Sequence, residues 1–395
     1  MVIAAARRAL MMALMGTVLS VTNAWAQVTP AAGKVPPDDT PSLRVGFTLW
    51  PQFILQTEPQ ITDAAGNTVQ RNTFDVGRAY INLAGQLSHL VAFRITPDIT
   101  RESSLLSLSP GNTVANDSLV FRIKYAYGQF NLDDWMARGS WVRLGIQPTP
   151  WVDFEEGIYR YRFQGTVFVE RIPLPTAMTS SDAGVSFHYN FAKDYGEVHF
   201  GYYNGENYQR VETNNQKGFE FRGSVRPFAG AAPVFRGLRA HLVYYNDRYV
   251  SDGERKRLVG ALTYEHKWVN LGFDYLDHED QALPTVANIP GNGYSIWATP
   301  KKNFTNGSSW EALLRYDHWT PNTNDTLAPA ATAPVFGTTQ LSDQHQNRSI
   351  FGVAYWFPRQ ANVNIAILLD YDAQSFDNIT TPETKSVAIH GLLQF

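Results

Sequence analysis

The chain has 395 residues, with 33 Lys plus Arg against 36 Asp plus Glu and no cysteine. A charge so near balance argues against nucleic acid as a partner. The missing cysteines exclude a disulfide framework, a thiol nucleophile and a cysteine-based zinc site.

Residues 1–26 read as a secretory signal peptide. Arg7 and Arg8 precede the apolar stretch Ala9 to Val21, and Ala24-Trp25-Ala26 forms a small-x-small cleavage site before Gln27. The arginine pair lacks the rest of a twin-arginine pattern, so export by the general route, unfolded, is expected. Removing this segment takes out two basic residues and leaves 369 residues with 31 basic against 36 acidic. Residues 27–41, with Pro30, Pro36, Pro37 and Pro41, read as a short extended linker. No later segment comes near the roughly 18 consecutive apolar residues of a spanning helix.

From residue 42 to 395 the pattern alternates with period two. Leu43, Val45, Phe47 and Leu49 oppose Arg44, Gly46 and Thr48, and Val363, Ile365, Ile367 and Leu369 oppose Asn364 and Asp370. Such runs fall at 42–55, 73–83, 90–100, 117–128, 141–148, 183–191, 196–204, 217–227, 237–246, 257–265, 268–277, 309–319, 348–357, 362–372 and 385–395. A single-chain bacterial barrel has an even number of strands. Parity locates a further strand at 292–301, where Tyr294, Ile296 and Ala298 alternate with Ser295, Trp297 and Thr299. The expected fold is therefore all-β, a 16-stranded antiparallel transmembrane β-barrel. Its even-numbered connections are short and its odd-numbered ones mostly long, as expected of periplasmic turns and outer loops.

Aromatic residues gather toward the C-terminal ends of the runs on the apolar face. Rising strands end in Tyr202, Tyr244, Phe273, Tyr275, Tyr316 and Tyr371; falling strands end in Tyr125, Tyr127, Tyr189, Phe191, Tyr264, Tyr355 and Phe357. These predict two belts at the headgroup levels of an outer-membrane lipid bilayer. Pro51 and Pro97 interrupt two runs, and bulges are the expected accommodation. The closing run ends at Phe395, which reads as a signal for the barrel-assembly machinery.

Catalytic chemistry is hard to find. The nine histidines form no His-Glu-x-x-His arrangement, and no glycine-rich phosphate loop precedes a helix. His188, His199, His241 and His390 are predicted to face inward on well-separated strands. Glu155-Glu156 and Asp133-Asp134 read as solvated charges. No catalytic residue, metal ligand or cofactor is expected.

Charges on the inward faces carry more information. Arg44, Arg78, Arg94, Arg122, Lys124, Arg143, Arg222, Arg239 and Arg257 alternate against apolar neighbours. A charge facing lipid near the midplane costs roughly 2–4 kcal/mol, so these side chains are expected to line a wet lumen. Asp75, Asp98, Glu197 and Glu220 interrupt them. The long connection 149–182 mixes Trp151, Phe154, Tyr159, Tyr161 and Phe163 with Asp153, Glu155, Glu156, Arg160, Arg162, Glu170 and Arg171. That is too aromatic for a solvated loop. Folding into the lumen would place Arg160, Arg162 and Arg171 at a constriction, with Glu155 and Glu156 on the same loop; the rival reading is a contact between protomers.

Short motifs then add a resemblance. Arg78-Ala79-Tyr80-Ile81 with Gly85, Arg94 with Pro97-Asp98, and Lys124-Tyr125-Ala126 come first. Arg143-Leu144-Gly145 with Gln147-Pro148-Thr149-Pro150, and Glu311 with Leu314-Arg315-Tyr316, follow in the same order. The chain resembles the phosphate-selective porins of types O and P over nearly its whole length. The resemblance implies sixteen-stranded barrels assembled as homotrimers, an inward-folded loop, and a column of cations guiding anions, here Arg78, Arg94, Lys124 and Arg143. The departure is charge, since later inward positions include Asp274, Glu311, Asp317, Asp370 and Asp372.

The function expected is a porin of the bacterial outer membrane that passes small anionic or polar solutes, with a positive first wall and a negative later wall. The alternatives are a receptor with a plugged lumen and a barrel enzyme.

Overall fold

Alternating side chains commit a strand to two different environments, and the computed structural model of the chain shows both. It describes residues 39–101, 105–109, 112–115, 118–171, 177–212, 214–281, 283–285, 287–324, 345–377 and 382–395. Residues 1–26, expected to be a signal peptide, and most of 27–41, expected to be a linker, lie outside the described residues.

Sixteen strands form one closed antiparallel barrel. In chain order they are β1 (Ser42–Thr62), β2 (Thr68–Gln86), β3 (Val91–Arg101), β6 (Leu119–Asn131), β7 (Trp141–Pro148), β8 (Ser181–Asn190), β9 (Gly196–Tyr203) and β10 (Gly218–Val225). There follow β11 (Leu238–Asp247), β12 (Glu254–His266), β13 (Val269–Gln281), β14 (Ile289–Asn303), β15 (Ser309–Thr320), β16 (Gln346–Trp356), β17 (Asn364–Phe376) and β18 (Thr384–Gln394). The strand located by parity is β14, two to three residues longer at each end than expected. A separate two-stranded sheet, β4 (Leu105–Ser109) with β5 (Asn112–Ala115), decorates the β3–β6 connection and was not foreseen.

The seam closes between β1 and β18. Phe47 N–H donates to the Phe395 carbonyl at 3.1 Å, and Phe395 N–H donates back at 3.0 Å. With the ring shut, no barrel strand is left as an edge. β12 shows the two faces clearly: Arg255, Arg257, Val259, Ala261 and Thr263 are buried inside, while Leu258 and Leu262 are exposed outside. Phe273, Ile296, Phe351, Ile367 and Leu369 continue the exposed apolar exterior.

Connection lengths depart from strict alternation. β1 and β2 extend well past the apolar zone, so the expected 56–72 loop shrinks to the turn 63–67. There the Asp63 carboxylate accepts from the backbone N–H groups of Ala65 and Asn67 at 2.9 and 2.8 Å. Ladder hydrogen bonds remain favourable beyond the lipid, so the hairpin continues where the hydrophobic pattern has stopped. The end carrying connections 149–180 and 321–345 is called the long-loop end below.

Both prolines sit at bulges, with register shifts at Trp50/Pro51 and Thr96/Pro97. The second has a large consequence. Thr96 lies opposite Tyr125 and Pro97 opposite Ile123, which leaves Lys124 unpaired across the ladder. One extra residue inverts the facing of everything beyond it. Tyr125 and Tyr127 therefore turn inward and are buried, and the belt loses two of its expected members. Tyr202, Phe273, Tyr275, Tyr371 and Phe357 do lie on the exposed exterior. Gly145 answers a separate constraint: at φ 125° a Cβ there would lie 2.3 Å from the Ala126 carbonyl oxygen on the neighbouring strand.

Candidate functional site: the lumen wall and its inward loop

Residues 149–171 leave the top of β7 and enter the barrel interior, and residues 177–180 lead into β8. The segment holds helix α1 (Val152–Tyr159) and the single turn α2 (Phe168–Arg171). Asp153 and Glu155 occupy the first turn of α1, where the helix dipole favours acids. Arg160 ends it in a left-handed conformation, its N–H donating to the Glu156 carbonyl at 3.0 Å.

Hydrogen bonds pin this loop to one long arc of wall. Trp151 N–H donates to the Glu220 carboxylate on β10 at 3.2 Å, and Arg222 donates to the Pro150 carbonyl at 2.7 Å. Asn270 on β13 donates to the Ile158 carbonyl at 2.9 Å, and Arg315 on β15 to the Thr166 carbonyl at 2.8 Å. The Tyr161 hydroxyl donates to Glu311 at 3.1 Å, Gln164 to Asp372 on β17 at 3.0 Å, and Arg257 on β12 to the Ala177 carbonyl at 3.1 Å. The loop rings pack on wall rings: Tyr159 on Trp297 at 5.2 Å, Tyr161 on Trp356 at 6.0 Å and Phe168 on Trp319 at 6.3 Å. Trp151, Tyr159, Tyr161, Phe163 and Phe168 are all buried. Each such burial stabilises by roughly 1.5–3 kcal/mol, which is why the loop is so aromatic. It folds into the lumen.

The charged loop residues separate by partner. Arg162 pairs with Glu156 and, at 3.3 Å, with Glu170, all within the loop. Arg160 reaches Glu311 at 3.3 Å and stacks 4.2 Å over Trp356. Arg171 donates to the neutral Gln164 side chain at 3.0 Å. Glu155 and Glu156 are buried, not solvated as the sequence suggested, because α1 lies against the wall. Burial, reinforced by the neighbouring Asp274 carboxyl, pushes Glu155 well above the usual carboxylate range.

The inward cations of the wall form two classes. Arg78 and Arg122 share Asp98, at 2.6 and 3.0 Å. Arg222 pairs with Glu197 at 2.6 Å, Arg257 with Asp280 at 2.8 Å, and Arg239 with Glu265. Arg94, Lys124 and Arg143 instead rest on rings. Arg94 lies 4.5 Å over Tyr125 and donates to Asn82 and Thr96, both at 2.9 Å. Lys124 sits 5.3 Å from both Tyr80 and Tyr125. Arg143 stacks 3.6 Å over Trp141 and donates to Gln129 at 2.8 Å. Among the described residues, none of these three has a carboxylate within ion-pair distance. Arg44 stands apart, exposed near the short-turn end of β1.

These positions correct two expectations. The lumen wall is packed rather than loosely wet: Arg94, Lys124, Arg143, Arg222 and Arg257 are all buried. The later wall is also not simply negative. Arg315 grips Asp317, Arg348 grips Asp372, and Arg255 lies 3.4 Å from Asp247, whereas Glu311 meets Arg160 of the loop, Asp370 meets His390, and Asp274 has no cation within ion-pair distance among the described residues. The Arg-x-Asp spacing at 315–317 was a readable signal, since residues two apart share a strand face. The pairings of Arg348 and Arg255 cross between strands or span a turn, and left no comparable mark.

His188 and His199 are not on well-separated strands but directly opposite each other on β8 and β9, with Trp141 about 5 Å from both rings. His241 is satisfied by Ser224 and Thr263 at 2.8 Å, and His390 lies 3.2 Å from Asp370. Among the described residues no three potential metal ligands come together.

Comparison with known proteins adds the fold. No family model matches the chain, and no curated protein matches it in sequence. Solved structures do match in shape. Salmonella typhi OmpF, in complex with daunomycin, superimposes with a TM-score of 0.55 at 12% identity, over 90% of this chain and 98% of that one. The outer membrane channel DcaP of Acinetobacter baumannii gives 0.54 at 9% identity, over 92% of this chain and 100% of its own. An anion-selective porin from Comamonas acidovorans gives 0.52 at 12% identity, over 89% and 100%. These likenesses show the fold, a closed 16-stranded antiparallel barrel shared with outer-membrane proteins of very different sequence.

Proposed function

We propose that this chain is an outer-membrane porin in which small solutes diffuse passively through a narrow lumen, with a modest preference for anions. The observation that carries this reading is the column of cations on β2, β3, β6 and β7. Arg78 and Arg122 stand nearest the long-loop end, then Lys124, Arg94 and Arg143. Along β6 the column spans about seven residues, or roughly 23 Å at about 3.3 Å per residue. Its lower three members are stacked on aromatic faces rather than neutralised by acids. A cation held over a ring keeps its charge and offers its edge to a passing oxyanion. Phosphate is one candidate solute, favoured by paired guanidinium donors.

The loop pinned across the lumen gives this reading its second part: Arg160, Arg162 and Arg171 act at the constriction, and conductance is small for a barrel of sixteen strands. A homotrimer is the proposed assembly, in keeping with the trimer form described for Vibrio cholerae OmpT, which has the same fold at 10% identity. Phe395, outward and half-exposed beside Phe47, is proposed as the contact for the assembly machinery. Residues 1–26 are proposed as the export signal. Reconstitution into a planar bilayer tests the whole. Ion flux with a reversal potential on the anion side supports it; a bilayer that stays silent, or a cation-selective channel, overturns it. Deleting Phe395 is expected to reduce outer-membrane assembly sharply without stopping secretion across the inner membrane.

A further inference from the structure

A cavity of about 150 Å³ opens at the long-loop end, between α2 and the upper ends of β15, β16 and β17. Phe168, Arg171, Asp317, Trp319, Asn347 and Arg348 bound it. At about 30 Å³ per water, it has room for roughly five water volumes.

The charges that bound this cavity are two cations, Arg171 and Arg348, against one acid, Asp317. Arg315 forks onto Asp317, with both contacts at 2.7 Å, and Arg348 forks onto Asp372 at 2.8 and 2.5 Å. Two guanidinium groups thus consume two carboxylates. Arg171 is the third, and its hydrogen bond goes to the uncharged Gln164. Its Nη1 is buried with no protein partner, and no carboxylate pairs with it among the described residues. Burial, together with Arg348 and Arg315, pulls Arg171 down to about 9. A guanidinium keeps its proton at neutral pH, so an anion beside it, rather than deprotonation, would offset the repulsion from Arg348 and Arg315.

The position of that guanidinium is built in. A Cβ at residue 165 would lie 1.8 Å from Arg171 Nη2, so Gly165 is what lets the side chain cross the loop. Beside it, the rings of Phe168 and Trp319 stand 6.3 Å apart and nearly perpendicular, at 74°. Asp317 and Asp372 close by would repel a second negative charge.

We propose that this pocket binds a small organic monoanion with an apolar or aromatic body. Arg171 takes the carboxylate, and Phe168 and Trp319 take the body. Inorganic phosphate is disfavoured, because half of the site is ring and its carboxylates oppose a dianion. The site would hold solute at the constriction that Arg171 helps to form, one step before the cation column.

The test is calorimetric titration of the folded full-length barrel in detergent with benzoate, with its neutral isostere benzamide and with inorganic phosphate. Benzoate is expected to bind about tenfold or more tightly than either, because only it offers a charge-assisted contact to Arg171 together with a ring. Arg171→Gln and, independently, Gly165→Ala are expected to weaken benzoate by about tenfold while heat-modifiable migration is retained. Should Arg171→Gln misfold, Gly165→Ala decides, since it keeps the arginine and displaces it. Equal benzoate affinity in wild type and the folded variants overturns the proposal, as does tighter binding of phosphate or benzamide. Conductance without benzoate reports on the porin reading separately, so the two can fail independently.

Discussion

Two arcs of the same barrel both carry inward cations and use them differently. On β10, β12 and β15 the arginines Arg222, Arg257 and Arg315 are bound to acids and their remaining donors hold the loop backbone: Arg222 to Pro150, Arg257 to Ala177, Arg315 to Thr166. On β3, β6 and β7 the cations Arg94, Lys124 and Arg143 lie on rings and hold nothing in the loop by hydrogen bonds among the described residues. The same residue type is scaffold on one side and free field on the other. Counting charges along the sequence cannot separate the two, because an ion in the lumen feels what pairing has left over.

The comparison breaks most visibly if the loop is removed. Replacing residues 151–179 by a short Gly-Ser link is expected to raise single-channel conductance several-fold, because the later wall would lose what it holds. Unchanged conductance accompanied by a dissociating oligomer would make the loop a protomer contact instead.

Exchanging charge on each arc is the next largest effect. Arg94→Glu with Arg143→Glu is expected to move the reversal potential toward cations, more strongly at low salt, since screening confines such fields to about 8 Å at physiological ionic strength. Arg257→Gln or Arg315→Gln should barely move it. Arg315→Gln instead leaves the buried Asp317 with only the Ser295 hydroxyl, at a cost of roughly 3–5 kcal/mol in unfolding, whereas Arg257→Gln costs less because Asp280 keeps His278 and Tyr249. A selectivity shift from Arg315→Gln as large as that from the Arg94/Arg143 pair would erase the distinction between the arcs.

A pH series sharpens the loop side. Glu155 on α1 has its titration raised by burial and by Asp274, with Arg315 and Trp297 the other groups facing it. Docking therefore favours the protonated acid. That contribution is full below the ordinary carboxyl value of about 4.3 and is lost as pH rises through the raised one. Conductance is expected to increase with pH over that window, and Glu155→Gln to flatten the curve. A wild-type conductance independent of pH would detach Glu155 from loop docking.

The smallest expected effect belongs to the rings. Trp141→Leu removes the face under Arg143 and should cost about 0.5–2 kcal/mol of stability, leaving the sign of selectivity unchanged. Reversed selectivity would mean that the ring, not the guanidinium, sets the field.

Most of the barrel was legible in the sequence for a simple reason. Lipid outside and polar lumen inside impose a period of two on every strand, and the even-strand rule turned fifteen runs into sixteen. Even the bulges were announced, since Pro51 and Pro97 have no N–H to give to a ladder. What a bulge does afterwards was not announced: the unpaired Lys124 reverses the facing beyond it, and carried Tyr125 and Tyr127 from the expected lipid belt to the lumen. The loop was marked by composition, as rings and charges together need something to pack against, but composition names no partner. Whether Arg171 faces an acid or a glutamine, and whether Arg143 meets Glu or Trp141, depends on side chains brought together by strand register and loop path. Local periodicity decides which way a residue points; only closure of the barrel around its own loop decides what it finds there.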